Sequence, residues 1–177
     1  MVVANPVPLT RATFAPYGAV IETSATQGRT ANDGRALRFD QEVGLAHGLP
    51  ACDPALALYR VEPSRLRLTV EYLERHPASS QVFVPMTAAR YLVVTAGPSA
   101  DGGPSLESLR AFVATSAQGV CYGPGVWHYP LVSLDRAATF AMFMWQAPDA
   151  AEDCEVHRLD APVEVASPDM APTAIRE

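Results

Sequence analysis

Apolar and polar residues alternate in short blocks along the middle of the chain. Leu66, Leu68 and Val70 alternate with charged or hydroxyl residues, and this period of two is typical of a half-buried β-strand. Further apolar blocks, bounded by Gly and Pro turns, predict strands at 19–21, 55–61, 81–84, 91–95, 109–115, 120–122, 126–131 and 139–145. Short strands at regular spacing with turns between them predict an all-β sandwich or barrel with few helices.

The N-terminal third is less regular than the middle. Residues 5–21 predict a short helix capped by Thr10 and packed down by Phe14 and Tyr17, because Ser or Thr often caps a helix start. Residues 22–53 are rich in Gly, Thr, Asn and Asp and predict a long loop. A long loop in a compact domain is often functional or mobile, so this one is either a solvated segment or a lid over a binding site.

Composition indicates one globular domain. The chain has 177 residues, of which 49% are hydrophobic and 18% charged. We predict a single domain over 1–160 and a Pro-rich tail over 161–177, either loose or laid against a partner subunit. The longest apolar run, 140–145, is far shorter than a membrane span, and the N-terminus carries no signal pattern. The expected location is therefore cytoplasmic, with no membrane partner.

Charge and residue types exclude several functions. The formal net charge is −6 and no basic tract is present, so nucleic acid is not an expected partner. The chain contains no lysine, which excludes Schiff-base chemistry and a phosphate-loop lysine. The cysteines, Cys52, Cys121 and Cys154, are odd in number and widely spaced, which matches free thiols and not a disulfide framework or a zinc motif.

Two histidines, each placed beside an apolar block, form the candidate functional constellation. Glu74 and His76 are two residues apart, so on a strand they share one face, and Gln81 opens the next predicted strand. Downstream, a Gly-Pro-Gly turn precedes His128 by three residues. This arrangement resembles the two metal-binding motifs of the cupin superfamily. The resemblance implies a β-barrel in which Glu74, His76, Gln81 and His128 either hold a divalent metal (nickel, zinc or manganese) or form a metal-free polar pocket.

Longer phrases in the chain are similar to one cupin family. They are LERHP at 73–77, QVFVPM at 81–86, LVV at 92–94, LRAF at 109–112, QGV at 118–120 and VWH at 126–128. Together they resemble the ureidoglycolate lyase family. The resemblance implies a homodimeric cupin-type barrel, or double-stranded β-helix, that cleaves ureidoglycolate to glyoxylate and urea in allantoin (purine) degradation, in some members with a divalent metal.

The chemistry of this substrate suggests roles for particular residues. Elimination of urea requires removal of a hydroxyl proton and protonation of the departing nitrogen, tasks that suit histidine and a second acid. We therefore predict His128, His76, Glu74 and Gln81 as catalytic residues or metal ligands. The substrate carboxylate favours an arginine fork. The predicted substrate-binding residues are Arg38 or Arg75, Asn32, and the pocket aromatics Tyr122, Trp127 and Tyr129.

Two other functions stay open at this point. The chain departs from the family phrases at Cys121, Gly123, Tyr129, Met144 and Trp145. These departures lie around one predicted site and do not disturb the strand pattern. The alternatives are a divergent cupin enzyme and a non-catalytic binding protein, either of them for another small carboxylate or ureido compound.

Overall fold

The structure is a computed structural model that describes residues 2–64 and 67–167. It confirms the all-β prediction: the described elements are fifteen strands, a four-residue α-helix and three short 3-10 turns. The predicted alternation at Leu66 lies outside the described residues, although the strand itself begins two residues later. None of the described helices has the length and apolar character needed to cross a membrane.

Two large sheets contain most of the strands. The eight-stranded sheet contains, in order, β1 (Val2–Ala4), β15 (Glu155–Val165), β7 (Leu68–Arg75), β12 (Trp127–His128), β9 (Arg90–Ala96), β10 (Arg110–Thr115) and β2 (Val7–Pro8), with β13 (Val132–Ser133) also paired to β9. The five-stranded sheet contains β3 (Gly18–Ile21), β11 (Gly119–Tyr122), β8 (Gln81–Pro85), β14 (Ala138–Gln146) and β6 (Asp53–Val61). A separate hairpin pairs β4 (Arg29–Ala31) with β5 (Ala36–Arg38).

The chain passes repeatedly between the two large sheets. From β6 onward it enters the five-stranded sheet at β6, β8, β11 and β14, and the eight-stranded sheet after each of them. This alternation, with mostly antiparallel pairing, is the topology of a double-stranded β-helix. The cupin-like barrel expected from the sequence is therefore present.

The main core lies between the sheets. Strand alternation directs Tyr91 and Val93 of β9 inward from one sheet, and Val120 and Phe140 inward from the other. The helix α1 (Arg11–Phe14) closes one end, because Phe14 is fully buried against the Phe112 ring at a centroid distance of 5.7 Å. The predicted cap is confirmed: the Thr10 hydroxyl accepts a hydrogen bond from the backbone N–H of Thr13 at 3.2 Å.

The structure differs from the sequence predictions at three places. The predicted loop at 22–53 contains the β4–β5 hairpin. Of the predicted strand at 126–131, only Trp127–His128 forms a strand. The last strand, β15, continues past the expected boundary at residue 160 to Val165. Pro162 is accommodated because the register with β7 shifts between Arg158 and Val163. Residues 168–177 of the predicted tail lie outside the described residues.

Candidate active site

Two rows of cross-strand partners face each other inside the barrel. In the eight-stranded sheet, His128 on β12 lies opposite Glu74 on β7 and Thr95 on β9. In the five-stranded sheet, Gln81 on β8 lies opposite Tyr122 on β11. Residues directly opposite in antiparallel strands point to the same side, so both rows project into the interior. The structure thus brings together side chains that are more than fifty residues apart in sequence.

A tight glycine turn connects the two rows. The turn at Gly123 and Gly125 carries the chain from β11 to β12, with Gly125 at φ +75°. As a result the Tyr122 ring stacks on the His128 ring, with centroids 4.2 Å apart and an interplanar angle of 7°. The backbone N–H of Gly125 also donates to the carbonyl of His76 at 2.9 Å, which ties the turn to the second histidine.

Backbone carbonyls fix the tautomer of both histidines. Nδ1 of His76 lies 2.7 Å from the carbonyl oxygen of Asp153, and Nδ1 of His128 lies 2.9 Å from that of Val126. A carbonyl oxygen can only accept, so Nδ1 carries the hydrogen and Nε2 carries the lone pair. Both Nε2 atoms are buried and have no hydrogen-bond partner among the described residues. Each histidine therefore presents a free lone pair to the interior.

Burial determines the charge at the site. It lowers the pKa of His128 to about 3, and it lowers the pKa of His76 while the bond to the Asp153 carbonyl acts in the opposite direction. Burial raises the pKa of the Glu74 carboxyl group. The imidazoles are accordingly neutral at pH 7. The 3.7 Å approach of His128 Nε2 to Glu74 Oε1 is then a contact with a neutral ring and not an ion pair.

These residues fit a divalent metal ion. One donor atom from each of Glu74, His76 and His128 lies within 4.8 Å of the donor atoms of the other two. Two neutral imidazoles and a carboxylate are ligands that zinc, nickel and manganese accept, and hydrogen bonding of the other ring nitrogen is usual for ligating histidines. The amide oxygen of Gln81 is a weaker ligand, and it is also buried without a partner among residues 2–64 and 67–167.

A cavity of about 330 Å³ opens beside this cluster. Glu74, Gln81 and His128 line it together with Tyr122 and Tyr129. Its other lining residues are Tyr59, Arg60, Val61, Glu62, Phe83, Pro130 and Leu131. The cavity combines apolar walls with a few convergent polar groups, which is typical of a small-molecule site.

Arg60 is a residue of the cavity rim that the sequence interpretation missed. It is the arginine that lines this cavity in the part of the chain that the structure describes, and its Nε lies 3.4 Å from Glu62 Oε1 on the exposed lip. The sequence predicts the strand at 55–61, but nothing in the spacing of its residues relates it to the histidines. The pairing of β6 with β14 brings it to the cavity, and that pairing is a long-range contact.

Two of the predicted substrate-binding residues face away from the cavity. Trp127 donates from Nε1 to the carbonyl of Gly102 at 3.2 Å, and the Arg75 guanidinium lies 4.5 Å over the Trp127 ring. Arg75 is also paired with Glu155. Each is adjacent in sequence to a site residue, so strand alternation directs its side chain to the opposite side of the sheet.

The loop residues Asn32 and Arg38 also lie outside the cavity lining. Asn32 is exposed in the turn of the β4–β5 hairpin at φ +52°, and Arg38 pairs with Asp40 at 2.6 Å. The segment forms its own hairpin, and its arginines are satisfied locally. The described structure therefore does not bring these two residues to the cluster.

Some of the residues that depart from the family phrases lie beside the cavity, and others face away from it. Met144 is buried beside Gln81, whose Nε2 donates to the Met144 sulfur at 3.8 Å. Trp145 lies on the other side of β14, where its ring stacks on His47 at 4.2 Å. Cys121 also points away from the cavity, and burial raises its thiol pKa to about 11. A thiol that stays protonated at neutral pH is not a nucleophile.

Fold and site together define a cupin-like barrel protein with a two-histidine, one-glutamate cluster at a small cavity. A sequence model described as ureidoglycolate lyase matches residues 1–166. Ureidoglycolate lyases of Burkholderia mallei and Pseudomonas syringae pv. syringae are 43% and 38% identical to the chain over 133 residues, which are 75% of this chain and 76% and 77% of those proteins. The chain belongs to the ureidoglycolate lyase family. A solved dTDP sugar isomerase from Desulfovibrio desulfuricans G20 is 17% identical, covers 82% of this chain and 88% of its own, and gives a TM-score of 0.48.

Proposed function

We propose that the protein cleaves ureidoglycolate to glyoxylate and urea in allantoin degradation. The observation that carries this proposal is the meeting of Glu74, His76 and His128 in one cluster, of which Glu74 and His128 line a cavity large enough for a small acid, in a chain of the ureidoglycolate lyase family. Ureidoglycolate has a hydroxyl, a carboxylate and a ureido nitrogen on one carbon. Cleavage breaks the C–N bond, forms the aldehyde of glyoxylate, and transfers the hydroxyl proton to the urea nitrogen.

Glu74 is the proposed proton-transfer group. Its carboxylate takes the hydroxyl proton and returns it to the departing nitrogen, so the group is regenerated at the end of each cycle. A carboxyl group with a raised pKa suits both halves of this transfer, because its affinity for the proton lies closer to neutral pH. His128, with a pKa of about 3, is a neutral lone-pair donor and a poor base, so its proposed role is to hold a metal or the substrate hydroxyl.

Glu74, His76 and His128 would also hold a divalent ion, such as nickel, zinc or manganese. A bound ion would supply Lewis-acid polarisation of a substrate oxygen. A carboxylate has two oxygens, so a ligating Glu74 keeps one for proton transfer. The substrate carboxylate is proposed to bind at the cavity mouth near Arg60. Strand alternation places the Arg60 side chain on the outer face with Leu58, so it would reach the mouth around the edge of β6, and its exposed ion pair with Glu62 is weak enough to exchange.

The test is turnover of ureidoglycolate by purified full-length protein. The protein is first treated with a chelator and dialysed, then assayed without metal and with added nickel, zinc or manganese. We expect equimolar release of urea and glyoxylate above the uncatalysed rate in at least one of these conditions. Absence of turnover in all of them would reject the proposal, and ammonia in place of urea would indicate a hydrolase instead.

The protein is also proposed to be a homodimer that pairs through the outer face of the five-stranded sheet. On this face Leu58 of β6 lies opposite Ala141 of β14, which lies opposite Val84 of β8. Leu56 and Leu58 are 77% and 65% exposed. The strand β6 is at the edge of its sheet. Exposed apolar faces and long edge strands usually have a partner.

Replacing Leu58 by glutamate is expected to convert the dimer to a monomer. A charge on this face would have to be buried in the interface, where it has no counter-charge. Sedimentation or light scattering should give twice the 18.9 kDa chain mass for the wild type and the chain mass for the variant. Leu37→Glu, at an equally exposed leucine on the β4–β5 hairpin, should stay dimeric. A monomeric wild type would contradict the proposal.

A cytoplasmic location is proposed as well. Cys52, Cys121 and Cys154 are free thiols in the structure. Free cysteines are usual in the reducing cytoplasm, whereas exported proteins tend to form disulfides.

A further inference from the structure

A row of three polar or polarisable side chains includes two, Gln81 and Tyr122, that line the floor of the cavity. Tyr122 on β11 lies opposite Gln81 on β8, and Gln81 lies opposite Met144 on β14. All three are buried and face the interior. The row belongs to the five-stranded sheet. Glu74 and His128 project from the eight-stranded sheet, and His76 directly follows β7 of that sheet.

The neighbours of Gln81 orient its amide. Its Nε2 donates to the Met144 sulfur at 3.8 Å. Its Oε1 is buried and has no hydrogen-bond partner within the described ranges. The side chain therefore offers its unpaired amide oxygen, an acceptor, to the cavity that it lines. Burying an acceptor without a hydrogen bond costs free energy, so we expect a ligand to supply the missing donor.

The hydroxyl of Tyr122 is in the complementary situation. The Tyr122 ring is held flat against the His128 ring, which fixes the direction of the C–O bond. Its oxygen is buried and is without a hydrogen-bond partner in the part of the chain that is described. A tyrosine phenol keeps its hydrogen at neutral pH, so the unpartnered hydroxyl can act as a donor.

We propose that Gln81 Oε1 and the Tyr122 hydroxyl bind the ureido group of the substrate, so that the substrate enters the cavity with its ureido end first. The ureido NH₂ donates to Gln81, and the ureido carbonyl accepts from Tyr122. This inference rests on the proposed function and adds an orientation to it. The opposite orientation is disfavoured, because a carboxylate on the floor would face the acceptor oxygen of Gln81 and the Glu74 carboxylate. At the mouth it would lie near solvent and near Arg60, which is among the lining residues.

Two small ligands separate the ureido contact from the carboxylate contact. N-carbamoylglycine has the ureido and carboxylate groups of ureidoglycolate but lacks the hydroxyl, so it cannot react. Glycolate has the hydroxyl and carboxylate but lacks the ureido group. Calorimetric titration of full-length protein with each ligand, at a measured and equal metal content, gives the two affinities.

Gln81→Met and Tyr122→Phe are each expected to lower the affinity for N-carbamoylglycine by about tenfold. The affinity for glycolate should change by less than about twofold. Met keeps the length of Gln without the amide, and Phe keeps the ring that stacks on His128. Arg60→Gln should lower the affinity for both ligands. Tyr72→Phe, at a tyrosine outside the cavity lining, should leave both affinities unchanged.

Equal losses for both ligands in the two floor variants would overturn the proposal, as would wild-type protein that does not prefer N-carbamoylglycine to glycolate. A lower metal content in Gln81→Met would assign that residue to the metal instead and also overturn it. The binding result does not depend on turnover. Failure of the proposed orientation is therefore distinguishable from failure of the proposed reaction, which the release of urea and glyoxylate measures.

Discussion

Replacing Glu74 by glutamine is expected to lower kcat/KM for ureidoglycolate by roughly 10²–10⁴-fold, which is the usual contribution of a positioned acid–base group. Glutamine has the shape of glutamate and keeps an acceptor oxygen, but it cannot take up and return a proton. The fold should remain intact, because the variant replaces a carboxyl group that burial already makes costly to ionise. Steady-state kinetics together with a thermal melt test both parts of this expectation.

Glu71→Gln is the matched control for Glu74→Gln. Glu71 lies on the same strand but is exposed, so its replacement should leave kcat/KM within about twofold of wild type. Added metal separates the two roles proposed for Glu74. If Glu74 were only a ligand, a large excess of metal would restore the activity of the glutamine variant. Full restoration, or a loss of less than about threefold without metal, would contradict proton transfer by this residue.

The sequence was sufficient to predict the barrel and the four residues at its centre. Glu74 and His76 share a face by strand alternation, and the glycine turn before His128 is a local signal. These features depend on spacing along the chain, which the sequence displays directly. The same alternation explains why Trp127 and Arg75, although adjacent to site residues, pack against each other on the opposite side of the sheet.

Other parts of the site depend on pairings between distant strands. Arg60 lies at the cavity because β6 pairs with β14, and Gln81 is oriented because β8 places it beside Met144. No local sequence pattern predicts either contact. Of the two readings of residues 22–53, a solvated segment or a lid, the positions of Asn32 and Arg38 favour the solvated segment. The Asn32 turn closes a hairpin with its own ion pairs, so its polar residues are satisfied without any ligand.

Gly18 shows how one close backbone approach supports the whole site. It pairs with Tyr122 across β3 and β11, at φ +148°. A Cβ added here would lie 1.9 Å from the backbone oxygen of Cys121. The neighbour is main chain and cannot rotate away. Only glycine allows β3 to approach the strand that carries the proposed ureido-binding tyrosine.

Gly18→Ala is therefore expected to destabilise the protein by at least about 3 kcal/mol, the upper end of the usual range for a single substitution. For a chain of this size the melting temperature should fall by roughly 6–12 °C. Gly34→Ala is the matched control, since Gly34 also has a positive φ, +84°, but its added Cβ would meet nothing within 4 Å. It should cost only the backbone preference, about 1–2 kcal/mol.

The difference between these two alanine variants combines the steric contact at Gly18 with the less favourable φ of that residue, +148° against +84°. Because the clash falls on the residue before Tyr122, Gly18→Ala should also lower affinity for N-carbamoylglycine in whatever fraction remains folded, whereas Gly34→Ala should not. Equal stability losses in the two variants would mean that β3 and β11 can separate freely at this point. The position of the Tyr122 hydroxyl would then not depend on Gly18.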